Sequence, residues 1–252
     1  MTASIPEILA PRLAPLDLDH RLQLVRELIP GRIVFTTSFG IEDQFITHSI
    51  FTQGLDIDVV TIDTGRLFPE TYTLWEETEA RYARRIRAVY PQAEPLEKLV
   101  EAQGVNGFYK SVEARKACCH VRKVEPLGRL LHGVSGWITG LRADQSAARA
   151  DVQMVAFDAA YRTIKINPVL DYTRDAIAAA TEEFSIPVNA LHGQGFLSIG
   201  CAPCTRAIEP GEDERAGRWW WEQDDKKECG LHVGEDGVLR RGPSQKSPEA
   251  FQ

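Results

Sequence analysis

"RIVFTTSFGIEDQFITHSIFTQGLDIDVVTIDTG", residues 32–65, reads as strand, helix and strand in that order. Its opening is a β-branched and aromatic run that breaks at Ser38-Phe39-Gly40. "IEDQFITHSIFTQG" then predicts a helix closed by Gly54, and "DIDVVTIDTG" a second strand ending in Asp63-Thr64-Gly65. Strands alternating with helices of this length predict parallel pairing across crossover helices. Downstream, "PETYTLWEETEARYARR" predicts a helix opened by Pro69, and "IRAVYP" a third short strand. "GWITGLR" and "YRTIKINPVL" add strands, and "TRDAIAAATEEFS" a helix capped by Thr173. Upstream, Leu16, Leu18, Leu22 and Val25 share one face of a helix that ends at Pro30-Gly31. The fold class is therefore α/β: an open, mostly parallel sheet with helices on both faces. A helical lead-in (1–30) precedes an α/β domain (31–200), and an irregular section rich in glycine, proline and charge (201–252) follows it.

The chain, at 252 residues, can build a full core without disulfide staples. A net charge of −7 argues against a general nucleic-acid binder, yet leaves room for a basic pocket around a small anion. No run approaches the roughly 18 apolar residues of a membrane span. "MTASIPEILAPRLAPLD" lacks the basic and apolar regions of a secretory signal. The expectation is a cytoplasmic protein with neither nucleic-acid nor membrane partners. Five cysteines, an odd number, exclude a complete disulfide framework.

Four of those cysteines form two pairs, Cys118-Cys119 in "EARKACCHVRKVEP" and Cys201-x-x-Cys204 in "GCAPCTR". Four thiolates suit structural zinc or an iron–sulfur cluster; buried thiols and a redox C-x-x-C are the other readings. Adjacent cysteines reach a single ion awkwardly, whereas a cubane offers separate iron corners. Cys229 stands apart in "DKKECGLHV", near Lys226, Lys227 and His232, and cationic neighbours enrich the nucleophilic thiolate. An incidental exposed thiol is the plainer alternative.

Three further stretches bear on an anionic ligand. Ser38-Phe39-Gly40 joins strand to helix, which leaves helix N-terminal amides for an anion, although no Walker lysine follows. Asp63, Thr64 and Gly65 lie where open parallel sheets bind ligands, or else act as caps. Arg142 in "TGLRADQS" can pair with phosphate or sulfate, or serve as a surface ion-pair partner. In "ERAGRWWWE", Arg215 and Arg218 fall three apart on one helical face, beside tryptophans that suit a core or an interface.

"SFGIED", "DTGRLFPET", "KACCHVRKVEPL", "GLRADQS", "GCAPCTRAIEPGEDERAGRWWWE" and "KKECGLH", in that order, resemble one family. It is the assimilatory adenosine 5′-phosphosulfate (APS) reductases of the iron–sulfur, thioredoxin-dependent type. The resemblance implies an adenine-nucleotide α-hydrolase-like fold, related to PP-loop enzymes, with residues 31–200 as the nucleotide-binding domain. It implies a 4Fe-4S cluster on Cys118, Cys119, Cys201 and Cys204, and Cys229 as the nucleophile with His232 beside it. Substrate contacts are expected from Ser38, Phe39, Gly40, Glu42, Asp63, Thr64, Gly65, Arg142, Gln145, Ser146, Arg215 and Arg218. Lys123, four residues past Cys119, is the expected link between cluster and substrate. The implied reaction turns APS into sulfite and AMP through an S-sulfocysteine, with thioredoxin as transient partner, in sulfate assimilation and cysteine biosynthesis. Phe39 replaces the middle glycine of the PP-loop Ser-Gly-Gly, which fits a ligand without pyrophosphate. Reductases of the 3′-phosphorylated substrate (PAPS) usually lack both cysteine pairs, and a zinc-binding module would leave "ECGLH" idle. The oligomeric state stays open, a homo-oligomer included.

Overall fold

The structure, a computed structural model, describes residues 4–146, 149 and 151–222. Six strands form one sheet: β1 (Ile33–Thr37), β2 (Asp58–Ile62), β3 (Arg87–Val89), β4 (Gly136–Ile138), β5 (Val155–Asp158) and β6 (Thr163–Ile166). Their order is β3-β2-β1-β4-β6-β5, all pairs parallel except β5 with β6. The antiparallel edge strand β5 was not foreseen: "VAFD" is too short to show a period, and it pairs with β6 only after a tight turn.

Alternation along the strands sorts side chains onto two faces. Ile33 and Phe35 of β1, Val59 of β2 and Ile138 of β4 point into the larger core. Val34, Val60 and Trp137 point into a smaller one, closed by Leu127, Leu130 and Leu131 of α7 (Glu125–Leu131). The larger core is roofed by α3 (Ile41–Thr52), α8 (Arg174–Glu183) and Leu74 of α4 (Pro69–Tyr82). Phe35 is wholly buried, and truncating such a side chain costs about 3–5 kcal/mol. As expected, Pro69 sits in the first turn of α4, and the Thr173 side chain accepts from Ala176 N to cap α8.

The lead-in is two helices rather than one. α1 (Ile5–Leu13) and α2 (Leu18–Leu28) meet at a break where Asp17 accepts from His20 N and starts the second helix. Leu16 falls in that link, while Leu18, Leu22 and Val25 join Leu9 and Leu13 in the larger core. Between β3 and β4 run α5 (Ala93–Gln103), α6 (Val112–Cys119) and a π-helical turn, His120–Val124, that leads into α7.

After β1 the chain steps outward through β2 to β3, then returns to the other side of β1 for β4. That reversal opens a crevice at the carboxyl ends of β1 and β4, where open α/β sheets take ligands. Among the described residues no helix is long and apolar enough to cross a membrane.

Candidate functional site

A cleft of about 190 Å³ fills the crevice. Its lining includes strand ends: Thr36 and Thr37 of β1 with Ser38 after them, Thr61 and Thr64 around the end of β2, and Thr139 and Gly140 after β4. Lys123, Arg149, Arg215 and Arg218 bring positive charge, and Glu42, Asp43 and Glu214 bring negative charge.

Of the expected substrate contacts, Ser38, Gly40, Glu42, Thr64, Gln145, Arg215 and Arg218 line this cleft. Others do not. Phe39 adopts a left-handed backbone (φ 61°), which turns its ring into the larger core, 5.6 Å from Trp75. The phenyl group is thus a packing element that shapes the turn. Asp63 spends its carboxylate on Gly65 N and the Tyr72 hydroxyl, both at 2.8 Å. It fixes the turn rather than capping α4, and Gly65 supplies that turn's positive φ of 69°. Arg142 is fully buried: Nε donates to Glu42 at 2.7 Å, Nη2 to Glu214 at 2.6 Å, and Nη1 to Asp144. With three carboxylates around it, the guanidinium is neither a surface partner nor turned into the cleft. Ser146 does not line the cleft, and its hydroxyl is buried without a partner among the described residues.

The amides of the turn that leads into α3 are also less free than expected. Asp43 reaches back to accept from Ser38 N at 2.6 Å and Ser38 Oγ at 2.8 Å. Burial pushes its carboxyl up to about 7, against the pull of those donors. Burial likewise raises Glu214, while Arg142 acts in the opposite direction.

Beside the cleft lies a pocket lined by all four paired cysteines with Arg66, Phe108, Arg115, Arg122, Lys123 and Pro203. Cys118 and Cys119 end α6, while Cys201 caps a short 3-10 turn and Cys204 ends it. Trp219 packs against the group. Burial pushes the Cys204 thiol up to about 12, reinforced by Cys201, and burial also raises Cys118. Burial thus disfavours the thiolate at Cys204 and Cys118, while the lining cations Arg66, Arg115, Arg122 and Lys123 suit the negative charge of metal-bound thiolates. Among the described residues, no group of three or more His, Cys, Asp or Glu side chains is arranged to hold a metal ion. Four thiols lining one pocket are nonetheless the donor chemistry that an iron–sulfur cluster or a zinc ion takes.

Cleft and pocket share one wall. Lys123, in the π-helical turn, lines both. Such turns cluster at functional sites because the widened backbone re-aims the side chains around it. Thr64 supports the same wall, with Oγ1 at 3.3 Å from Cys201 Sγ and its carbonyl accepting from Arg122 Nη1 at 2.6 Å.

Arg215 and Arg218 occupy turns rather than a helix face. Gly217 breaks any helix there, because its carbonyl accepts from Arg206 N and Arg218 bridges to Thr205. The Arg218 guanidinium lies 4.8 Å from the Trp219 ring, and Nη1 donates to Ile199 O at 3.3 Å. Arg149 and the backbone of "LSIG" (197–200) were missed. A lone arginine in an alanine-rich run, and a main chain with ordinary side chains, carry no motif. Cys229 and His232 lie outside the described residues.

The profile of the phosphoadenosine phosphosulfate reductase domain matches residues 32–207. The chain belongs to that family. Within it, the reductase is 57% identical to adenosine 5′-phosphosulfate reductase of Agrobacterium fabrum, over 94% of this chain and 90% of the relative. It is 50% identical to the protein of the same name from Allochromatium vinosum, over 83% and 81%. A solved phosphoadenylyl-sulfate reductase from Candida auris, in a phosphate complex, has the same fold, with a TM-score of 0.69. That match is 24% identical and covers 82% of this chain and 99% of that one. The mostly parallel sheet and the enzyme class are thus those of a sulfonucleotide reductase.

Proposed function

We propose that the reductase converts APS to sulfite and AMP, taking two electrons from thioredoxin, in cytoplasmic sulfate assimilation and cysteine biosynthesis. The observation that carries this reading is the shared wall, where Lys123 lines both a cleft that gathers Arg149, Arg215 and Arg218 and a four-cysteine pocket. The names of the relatives, at up to 57% identity, favour APS over the 3′-phosphorylated nucleotide.

Cys118, Cys119, Cys201 and Cys204 hold a 4Fe-4S cluster in this reading. When bound, the cluster supplies rigidity and a local electrostatic field. Lys123, Arg215 and Arg218 neutralise the sulfate and phosphate oxygens as charge moves onto AMP. The Cys229 thiolate attacks sulfur, the bond from sulfur to the bridging phosphate oxygen breaks, and AMP leaves with that electron pair. A thioredoxin thiolate then attacks the Cys229 sulfur and displaces sulfite, and its second thiol resolves the mixed disulfide. Thioredoxin is oxidised by two electrons, and Cys229 is returned as a thiol.

The test is sulfite release from APS and from PAPS with reduced thioredoxin, next to a single turnover without it. The expected result is turnover of APS, with one AMP and one SO₃ adduct on the "ECGLH" peptide when reductant is withheld. Full thioredoxin-dependent turnover by Cys229→Ser would rule the mechanism out.

A further inference from the structure

α6 carries a buried arginine whose partner lies at the far end of the described chain. Arg115 Nε donates to Glu222 Oε1 and Nη2 to Glu222 Oε2, both at 2.8 Å. Both side chains are about 4% exposed, and the guanidinium lies 4.7 Å from the Trp219 ring. Trp219 N donates to Cys204 O, and Glu222 N to Trp219 O. Residues 219–222 are thereby clipped to the cysteine pocket from two sides, through Cys204 and through the helix that ends in Cys118 and Cys119.

A buried ion pair is a weak source of net stability, because desolvation offsets its attraction, and its best-attested use is to fix a register. A bidentate fork does this well, since it admits one geometry. The register in question belongs to the chain leaving Glu222, which reaches Cys229 seven residues later. Fully extended, that tether spans about 25 Å at most. Its origin therefore decides how often the thiol meets the cleft.

We propose that the Arg115–Glu222 pair is the anchor of the segment bearing Cys229, so that both residues are positioning residues for sulfur transfer. The proposal rests on the reading of Cys229 as nucleophile and adds the device that presents it. With the fork broken, the nearest remaining hold is Trp221, whose ring packs 4.4 Å from that of Tyr109, so the tether hardly lengthens and what is lost is the direction set at Glu222. The expected loss therefore comes from orientation, because the bidentate fork fixes one direction for the chain leaving Glu222.

The test uses cluster-loaded enzyme with Glu222→Gln, which keeps the shape and removes the charge, and Glu222→Asp, which keeps the charge on a shorter reach. Expected for Glu222→Gln are unchanged visible absorbance and unchanged APS affinity. Single-turnover AMP release should slow at least several-fold, and chymotryptic cleavage after Trp221 should speed up about tenfold. Glu222→Asp should recover part of both changes, and it carries the test if Glu222→Gln fails to load. Faster cleavage with an unchanged AMP rate would overturn the proposal, as would cluster loss in proportion to activity in both variants. Failure of the Cys229 reading shows separately, as turnover by Cys229→Ser, because cleavage after Trp221 does not depend on that thiol.

Discussion

Gly200 lies where a single methyl group tests the proposed role of Arg218 as a substrate clamp. A Cβ built there falls 2.2 Å from Arg218 Nη2 and 2.4 Å from Cζ, whereas ordinary contact begins near 3.4 Å. Gly200 is not among the glycines with positive φ, so alanine meets no backbone penalty, and the clash falls on the guanidinium alone. The guanidinium must retreat by about 1.2 Å from its place at the cleft wall. Misplacing a reacting or clamping group by about 1 Å can slow a reaction roughly 10²-fold. Gly200→Ala should therefore lower kcat/KM for APS by about 10²-fold, with the cluster retained. It should add little to Arg218→Ala, because both act through one side chain. The assay is a double-mutant cycle on sulfite release. Full activity in Gly200→Ala would refute the clamp, and a further 10²-fold loss in the Arg218→Ala background would show that the methyl acts through the backbone instead.

Lys123→Ala should keep the cluster and slow single-turnover AMP release by about 10²–10³-fold, since one preorganised charge is worth that much; an unchanged rate would reduce it to a wall residue. Asp43, raised to about 7 from 3.8, holds a proton in the folded chain that the unfolded chain releases between those values. Stability should thus fall as pH rises from about 4 to 7 and level off above. The advantage of Asp43→Asn over wild type should grow across that window by at most about 4 kcal/mol, read from denaturant melts; parallel pH curves would contradict it. Thr173→Ala removes the cap on α8 and should cost about 1 kcal/mol, a fall in Tm of about 2–4 °C by calorimetry.

The parts legible in the sequence are those where local chemistry decides the outcome. Strands β1, β2, β4 and β6 are Val/Ile-rich runs ended by turn residues, and α4 and α8 announce themselves through Pro69 and Thr173. What stayed hidden depends on distant partners. Nothing in "LRADQS" shows that Arg142 would be claimed by Glu42, a hundred residues earlier, and by Glu214. Spacing alone put Arg215 and Arg218 on a helix, yet pairing of Thr205 with Arg218 holds them in turns. Phe39 stands at a ligand-binding turn in the sequence, but burial against Trp75 claims its ring. The two cysteine pairs do line one pocket, yet their spacing left cluster, zinc and incidental thiols open, and only the resemblance implied a common centre.

Trp219 has an optical consequence. Its indole is 1% exposed, and two guanidinium groups lie over it, Arg115 from the cysteine pocket and Arg218 from the cleft. Emission from a buried indole shifts with the charges nearest its ring, and a visible chromophore beside it drains the excited state. The chain therefore carries its own lamp at the junction of its two chambers. Filling the pocket with a coloured cluster dims that lamp, and drawing Arg218 toward an anion in the cleft changes its colour. Four other tryptophans also emit, so the part of the signal that belongs to this junction is the part lost in Trp219→Phe.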